Sequence, residues 1–99
     1  MAAYVLAEIE ITNADGYKEY TATVPATIAQ YGGRFLVRAG AYETVEGSSR
    51  SRNAVIEFPS YQAALDCWRS PDYQAAIRLR EPVSTADVVV IEGYDGPQP

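Results

Sequence analysis

Apolar and polar residues alternate through the opening segment AYVLAEIEIT. Val5, Ala7, Ile9 and Ile11 fall on one side and Tyr4, Leu6, Glu8 and Glu10 on the other. A period of two is that of a half-buried strand. The period then lengthens. In NADGYKEYTATVPATIAQYGG, Tyr17, Tyr20, Val24, Ile28 and Tyr31 recur at helical spacing. Asn13 or Asp15 can cap the start, because a short side-chain oxygen accepts from the first free backbone N–H groups. Gly32-Gly33 supplies the stop. Pro25 lies inside the pattern and removes one backbone hydrogen bond, so a bend is expected there.

Two further strands follow, RFLVRAGAYETVE and RNAVIEF, joined as a hairpin by the glycine- and serine-rich GSSRS. PSYQAALDCWRS begins a helix at Ser60, with Tyr61, Ala64, Leu65 and Trp68 on one stripe. Ser70 and Pro71 restart it, serine as the cap and proline in the first helical position, and DYQAAIRLRE carries Tyr73 and Ile77 inward. TADVVVIEG closes the pattern as a strand. The order is β-α-β-β-α-β. It predicts an α+β, ferredoxin-like sandwich with a four-stranded antiparallel sheet and its helices on one face. A single domain spans residues 1–94, and residues 95–99 read as a flexible C-terminal tail.

Parity sorts each strand into two faces. One face collects Phe35, Val37, Ala54, Ile56, Val89 and Ile91, all apolar, and is expected under the helices. The other mixes Tyr4, Glu8, Arg34, Arg38, Tyr42, Glu57 and Glu92 with Leu6, Val55, Val88 and Val90. Left in water, this second face would be an apolar patch that monomers rarely leave bare. If it is covered, its charges must pair, because an isolated buried ion costs several kcal/mol. A homodimer with its two sheets face to face meets both demands. It encloses a barrel whose interior is a natural ligand pocket.

Composition removes most other options. The 99 residues carry a net charge of −5, which argues against nucleic acid as a partner. The short basic cluster Arg50/Arg52 reads as a solvated loop tip. No apolar run is long enough to span a bilayer and no leader pattern is present, so a cytoplasmic location is the expectation. With no histidine and the single Cys67, histidine-dependent nucleophile systems are excluded within one chain, and no metal site is expected. No cofactor is implied.

The segments YGGRFLVRAG and IEFPSYQAALDCWRSPDYQAAIRLR, in this order of elements, resemble the family called domain of unknown function 1330, within the dimeric α+β barrel superfamily. The resemblance covers roughly Tyr4 to Glu92. It implies a ferredoxin-like protomer and a face-to-face dimer, and it implies no activity. The wider superfamily includes cofactor-free monooxygenases, lactone isomerases and enzymes acting on dyes or haem, but their chemistry transfers only by analogy of fold.

Six residues are candidates for a ligand site: Arg34, Arg38, Glu57, Tyr73, Trp68 and Tyr20. A guanidinium fork matches a carboxylate bidentately, so Arg38 and Arg34 suit an anionic ligand. The competing reading has Arg38 neutralising Glu8 or Glu57 inside the dimer, and Arg34 at a solvated rim. Glu57 is either a general base with a raised pKa or an ion-pair partner with a lowered one. Trp68, Tyr73 and Tyr20 could wall an aromatic pocket, although helical spacing suits Trp68 better to the core. No catalytic residue is assigned. Two functions follow. One is a homodimer binding a small anionic or aromatic organic ligand in its barrel, with cofactor-free catalysis as an extension. The other is a non-catalytic structural or regulatory dimer with a charge-paired interior.

Overall fold

The structure is a computed structural model describing residues 1–99. Strand β1 (Ala3–Ile11) leads into helix α1 (Ala14–Gln30), followed by β2 (Arg34–Arg38) and β3 (Arg52–Phe58). Helices α2 (Tyr61–Arg69) and α3 (Pro71–Arg80) come next, and a single 3₁₀ turn precedes β4 (Ser84–Glu92). The sheet order is β2-β3-β1-β4, and every neighbouring pair is antiparallel. This is the ferredoxin-like arrangement anticipated from the period changes, with the second helical segment divided in two.

Local chemistry accounts for the boundaries. The Asn13 side chain accepts from Gly16 N at 3.1 Å and starts α1. Pro25 stays within that helix, which runs unbroken to Gln30. Gly32 adopts φ +80°, a conformation open to glycine. Gly33 N donates to the Ile28 carbonyl and Gly32 N to that of Ala29, so the last turn's carbonyls are satisfied. Ser70 serves two helices at once. Its hydroxyl donates to the Cys67 carbonyl at 2.7 Å and accepts from Tyr73 N at 3.2 Å, closing α2 and opening α3.

The helices cover one side of the sheet only, and the molecule is correspondingly thin, 44 × 35 × 16 Å. Val5, Ile9, Ile56 and Phe58 from the sheet pack against Tyr17, Tyr20, Val24 and Ile28 of α1 and against Ala64, Cys67, Tyr73 and Ala76 of α2 and α3. Burying a large apolar side chain contributes about 1.5–3 kcal/mol, so this layer carries most of the stability. No helix is long and apolar enough to cross a membrane.

Three expectations are corrected. Strand β2 ends at Arg38, not near Glu46, because Ala39 turns into the left-handed region at φ 56°. The hairpin connection is therefore the whole exposed segment from Ala39 to Ser51. Within β2 the register slips: Phe35 lies opposite Ile56, but Val37 lies opposite Val55 and Arg38 opposite Ala54. This β-bulge inserts one residue and reverses the faces beyond it. Val37 moves to the open face and Arg38 to the helix-covered one. Strand β4 is also reversed. Val90 and Val88 lie opposite Val5 and Ala7 on the covered face, and Val89 and Ile91 face outward. Residues Val88 to Ile91 are apolar on both parities, so alternation alone cannot orient them. Asp87 and Thr85, which share the parity of Val89, mark the outer side.

Candidate functional site

Between the sheet and the helices lies a narrow cavity of about 40 Å³, room for a few water molecules, which opens to solvent. The floor is apolar, built from the covered face of β1 and β3: Val5, Ala7, Ile9, Ala54 and Ile56. Helix α1 forms the roof with Tyr17, Tyr20, Val24 and Ile28, its i, i+3, i+7 and i+11 positions, which share one stripe. Helix α3 supplies Tyr73 and, seven residues later on the same stripe, Arg80.

Two tyrosine hydroxyls meet inside. Tyr20 Oη and Tyr73 Oη are 2.9 Å apart and buried. Burial, reinforced by this contact and by the charge of a neighbouring phenolate, pushes the Tyr73 phenol well above its ordinary value. Burial likewise raises Tyr17, against the opposing pull of Arg52 and Arg80. At neutral pH these two rings therefore offer neutral hydroxyls as hydrogen-bond groups and not phenolates. The rings of Tyr17 and Tyr20 lie 5.3 Å apart, so the roof is a continuous aromatic surface.

Three arginines reach this cavity: Arg38 from the far side of the β2 bulge, Arg52 from the start of β3, and Arg80 from the end of α3. Each guanidinium lies over an aromatic ring. Arg38 is 4.5 Å from the Phe35 centroid, Arg52 5.5 Å from Tyr17 and Arg80 5.4 Å from Tyr20. The seventeen lining residues include no aspartate or glutamate, and none of the three arginines takes part in an ion pair. They differ in depth. Arg38 is exposed at the mouth, Arg52 is half-buried, and Arg80 is buried with only 6% of its surface open. Arg80 also borders a shallower outer groove beside Trp68, Gln74 and Glu81. Its guanidinium nonetheless lies over the ring of Tyr20, which is on the cavity side.

The six candidates separate by face. Arg38, Tyr73 and Tyr20 come together at the cavity. Trp68 stands behind Tyr73, rings 5.2 Å apart and tilted by 40°, packed on the core outside this cavity. Arg34 and Glu57 lie on the open face and pair with each other, Nε to Oε1 at 2.8 Å, with Tyr4 Oη donating to the same carboxylate at 3.4 Å. Glu8 is likewise engaged away from Arg38, accepting from the Arg50 backbone at 3.2 Å. The Arg50 side chain grips Asp87 at 2.8 Å, so this residue pins the end of the long loop to the open face and is no solvated tip. Two pocket residues escaped the list of candidates, Arg52 and Arg80. Both fall on inward-facing positions of the pattern: Arg52 shares the parity of Ala54 and Ile56, and Arg80 the stripe of Tyr73 and Ala76. No cluster of histidine, cysteine or carboxylate groups capable of holding a metal ion is present.

Several solved structures share the fold. RPA0582, a protein of unknown function from Rhodopseudomonas palustris, superposes with a TM-score of 0.75 over 96% of this chain and 84% of its own, at 14% identity. SnoaB, a cofactor-independent oxygenase from Streptomyces nogalater, gives 0.68 over 96% and 95% at 11% identity. A dimeric protein of unknown function and ferredoxin-like fold from Bacteroides fragilis gives 0.55 over 93% and 96% at 9% identity. At such identities the likeness is one of fold. No curated protein matches the sequence. A family model does match, across residues 2–94, and by it the chain belongs to the family described as domain of unknown function DUF1330.

Proposed function

We propose that this protein is a homodimer that binds a small organic acid with an apolar or aromatic body, one molecule in the cavity of each protomer. The observation that carries the reading is Arg80: a guanidinium on a 6%-exposed residue, in a cavity without a carboxylate, with no protein acceptor. A cation on a largely covered residue gains from a nearby counter-ion, and the cavity lining supplies none. Aromatic and aliphatic side chains around it suit an apolar body, with neutral tyrosine hydroxyls to orient it. The pocket belongs to each protomer. It is not the shared barrel interior that strand parity suggested.

Dimerisation through the open face rests on a separate observation. Leu6, Val37, Val89 and Ile91 are each more than 40% exposed there, while the charges at its two ends are already paired within one protomer as Arg34–Glu57 and Arg50–Asp87. A neutral, apolar centre inside a satisfied polar rim is the composition of a protein–protein interface. That the neighbour from Bacteroides fragilis is described as dimeric agrees with this reading.

Catalysis is an extension of the same site. The description of SnoaB as a cofactor-independent oxygenase makes cofactor-free chemistry on the bound acid the enzymatic version of the proposal. Such chemistry would draw on arginine charge and tyrosine hydroxyls, because the cavity offers no carboxylate or imidazole base. The alternative, a purely structural dimer, is favoured by the open face alone, where each arginine has its carboxylate.

Native mass spectrometry of freshly purified protein tests the reading, combined with Trp68 fluorescence during titration with benzoate and 1-naphthoate. A dimer mass and a saturable fluorescence change are expected, since Trp68 packs on the Tyr73 wall. A stable monomer would remove the assembly, and indifference to both acids would remove the ligand site.

A further inference from the structure

We infer that the ligand carries two acid groups: a small organic dianion with an apolar body, one group held by Arg80 at the inner wall and the other by Arg52 and Arg38 at the mouth. This rests on the reading of the cavity as a ligand site and adds what charge and placement demand of its occupant. The chain as a whole is acidic, yet three of its eight basic side chains converge on one carboxylate-free cavity. Stacking on Phe35, Tyr17 and Tyr20 shields the flat faces of the three guanidiniums. It does not satisfy their N–H groups, which lie in the guanidinium plane, five to each arginine. None of these edges is taken up by a carboxylate, and Arg52 has only the Tyr17 side chain as a hydrogen-bonding neighbour.

The cations come from opposite walls. Arg38 lies opposite Ala54 in the ladder, and Arg52 precedes Ala54 by two residues on the same face of β3. Diagonal neighbours on adjacent strands are within reach of one another's long side chains. Arg38 and Arg52 thus form one pole, on the sheet. Arg80 descends from the end of α3 onto Tyr20 and forms the other, on the helix layer. A monoanion held at one pole would leave the other without a counter-ion, and no carboxylate of the cavity lining can take its place. Arg80, on a residue only 6% exposed, gains most from one. Two acid groups joined by an apolar body answer both poles and the lining between them.

The probes are three acids on one ring: benzoate, with a single charge, and the dianions phthalate and terephthalate. Affinities are measured by calorimetry on the full-length protein at constant ionic strength. At least one dianion is expected to bind tenfold or more tighter than benzoate. Arg80→Met is expected to remove that advantage while residual benzoate binding persists at the mouth. Should the buried substitution unfold the chain, Arg38→Met, at the exposed mouth, gives the same comparison without touching the core, and it too is expected to shrink the ratio. Equal binding of benzoate and both dianions overturns the two-acid inference and leaves the organic-acid site standing. Failure of all three acids to bind overturns the site itself, and the inference with it.

Discussion

The two faces of the sheet make opposite demands. On the open face the charges are settled: Arg34 has Glu57, Arg50 has Asp87, and Glu8 has a backbone donor, while Leu6, Val37, Val89 and Ile91 are left in water. On the covered face the apolar residues are settled, packed under three helices, while Arg38, Arg52 and Arg80 are left without carboxylates. One face lacks apolar cover and the other lacks negative charge. In the proposed reading a second protein surface would meet the first need, and a small anion the second. Because the needs differ, assembly and ligand binding can be broken separately, and that separability is the main test of the comparison.

The largest effect is expected from a charge at the centre of the open face. Leu6 lies between Val55 and Val89 in the ladder. Leu6→Asp would bury an unpaired carboxylate in the proposed interface, at a cost of about 3–5 kcal/mol. Sedimentation should then report a monomer where the parent chain is a dimer, with benzoate binding retained by the isolated protomer. A variant that still sediments as a dimer would mean that assembly uses another surface.

Most of this contrast was readable along the chain, and the unreadable part has a specific physical origin. Alternation in β1 and β3 is clean, because Glu8, Asn53 and Glu57 mark the outer side at every other residue. The helix stripes, the Ser60 cap and the Ser70-Pro71 break follow from local propensity and are equally clear, while the sequence leaves the α1 cap open between Asn13 and Asp15 and the structure shows Asn13. What failed was parity where it carried no information. In β4, four consecutive apolar residues from Val88 to Ile91 leave the faces degenerate. In β2 a single extra residue in the ladder turned Arg38 over, and a bulge is set by pairing with β3, which a linear pattern does not contain. The site inherited that error. By parity Arg38 falls with Arg34 and Glu57, when its companions at the cavity are Arg52 from β3 and Tyr73 and Arg80 from α3, of which only Tyr73 is among the candidates.

An intermediate effect is expected on the covered side from pH. Burial pushes the Cys67 thiol up to about 11 from an ordinary 9.0, and raises Tyr17 and Tyr73 above their ordinary 10.0. Between pH 9 and 11 the unfolded thiol loses its proton while the folded one keeps it. The native state then holds more protons, and stability falls as pH rises. Cys67 alone contributes a loss of about 2 kcal/mol across that window, the slope approaching roughly 1.4 kcal/mol per unit only at its middle, and the tyrosines extend the loss above pH 10. Below pH 9 these groups add no slope. Urea unfolding at pH 8, 9, 10 and 11 checks this, with Cys67→Ala expected to be less stable at pH 8 but flatter between 9 and 10. A parent profile that stays level to pH 11 would show that these groups are not held in a desolvated interior.

The smallest effect is the most discriminating, because it compares two arginines on one short strand. Arg34 is 70% exposed and pairs with Glu57 on the open face, where a surface ion pair contributes under about 1 kcal/mol. Arg34→Met should therefore barely move the protomer's unfolding midpoint and should leave benzoate affinity unchanged. Any larger penalty should appear in dimer dissociation, since a partner sheet would cover the Glu57 carboxylate left behind. Arg38→Met, four residues along, should also spare the unfolding midpoint, because Arg38 is exposed, but it should weaken the binding of acids and leave dimer dissociation unaltered. Measuring both variants for both properties gives four numbers with a crossed pattern. If the strand alternated without its bulge, Arg34 and Arg38 would share the open face and the two rows would match. The crossed result thus reports directly on the one-residue slip between Phe35 and Val37 that gives the cavity its outermost charge.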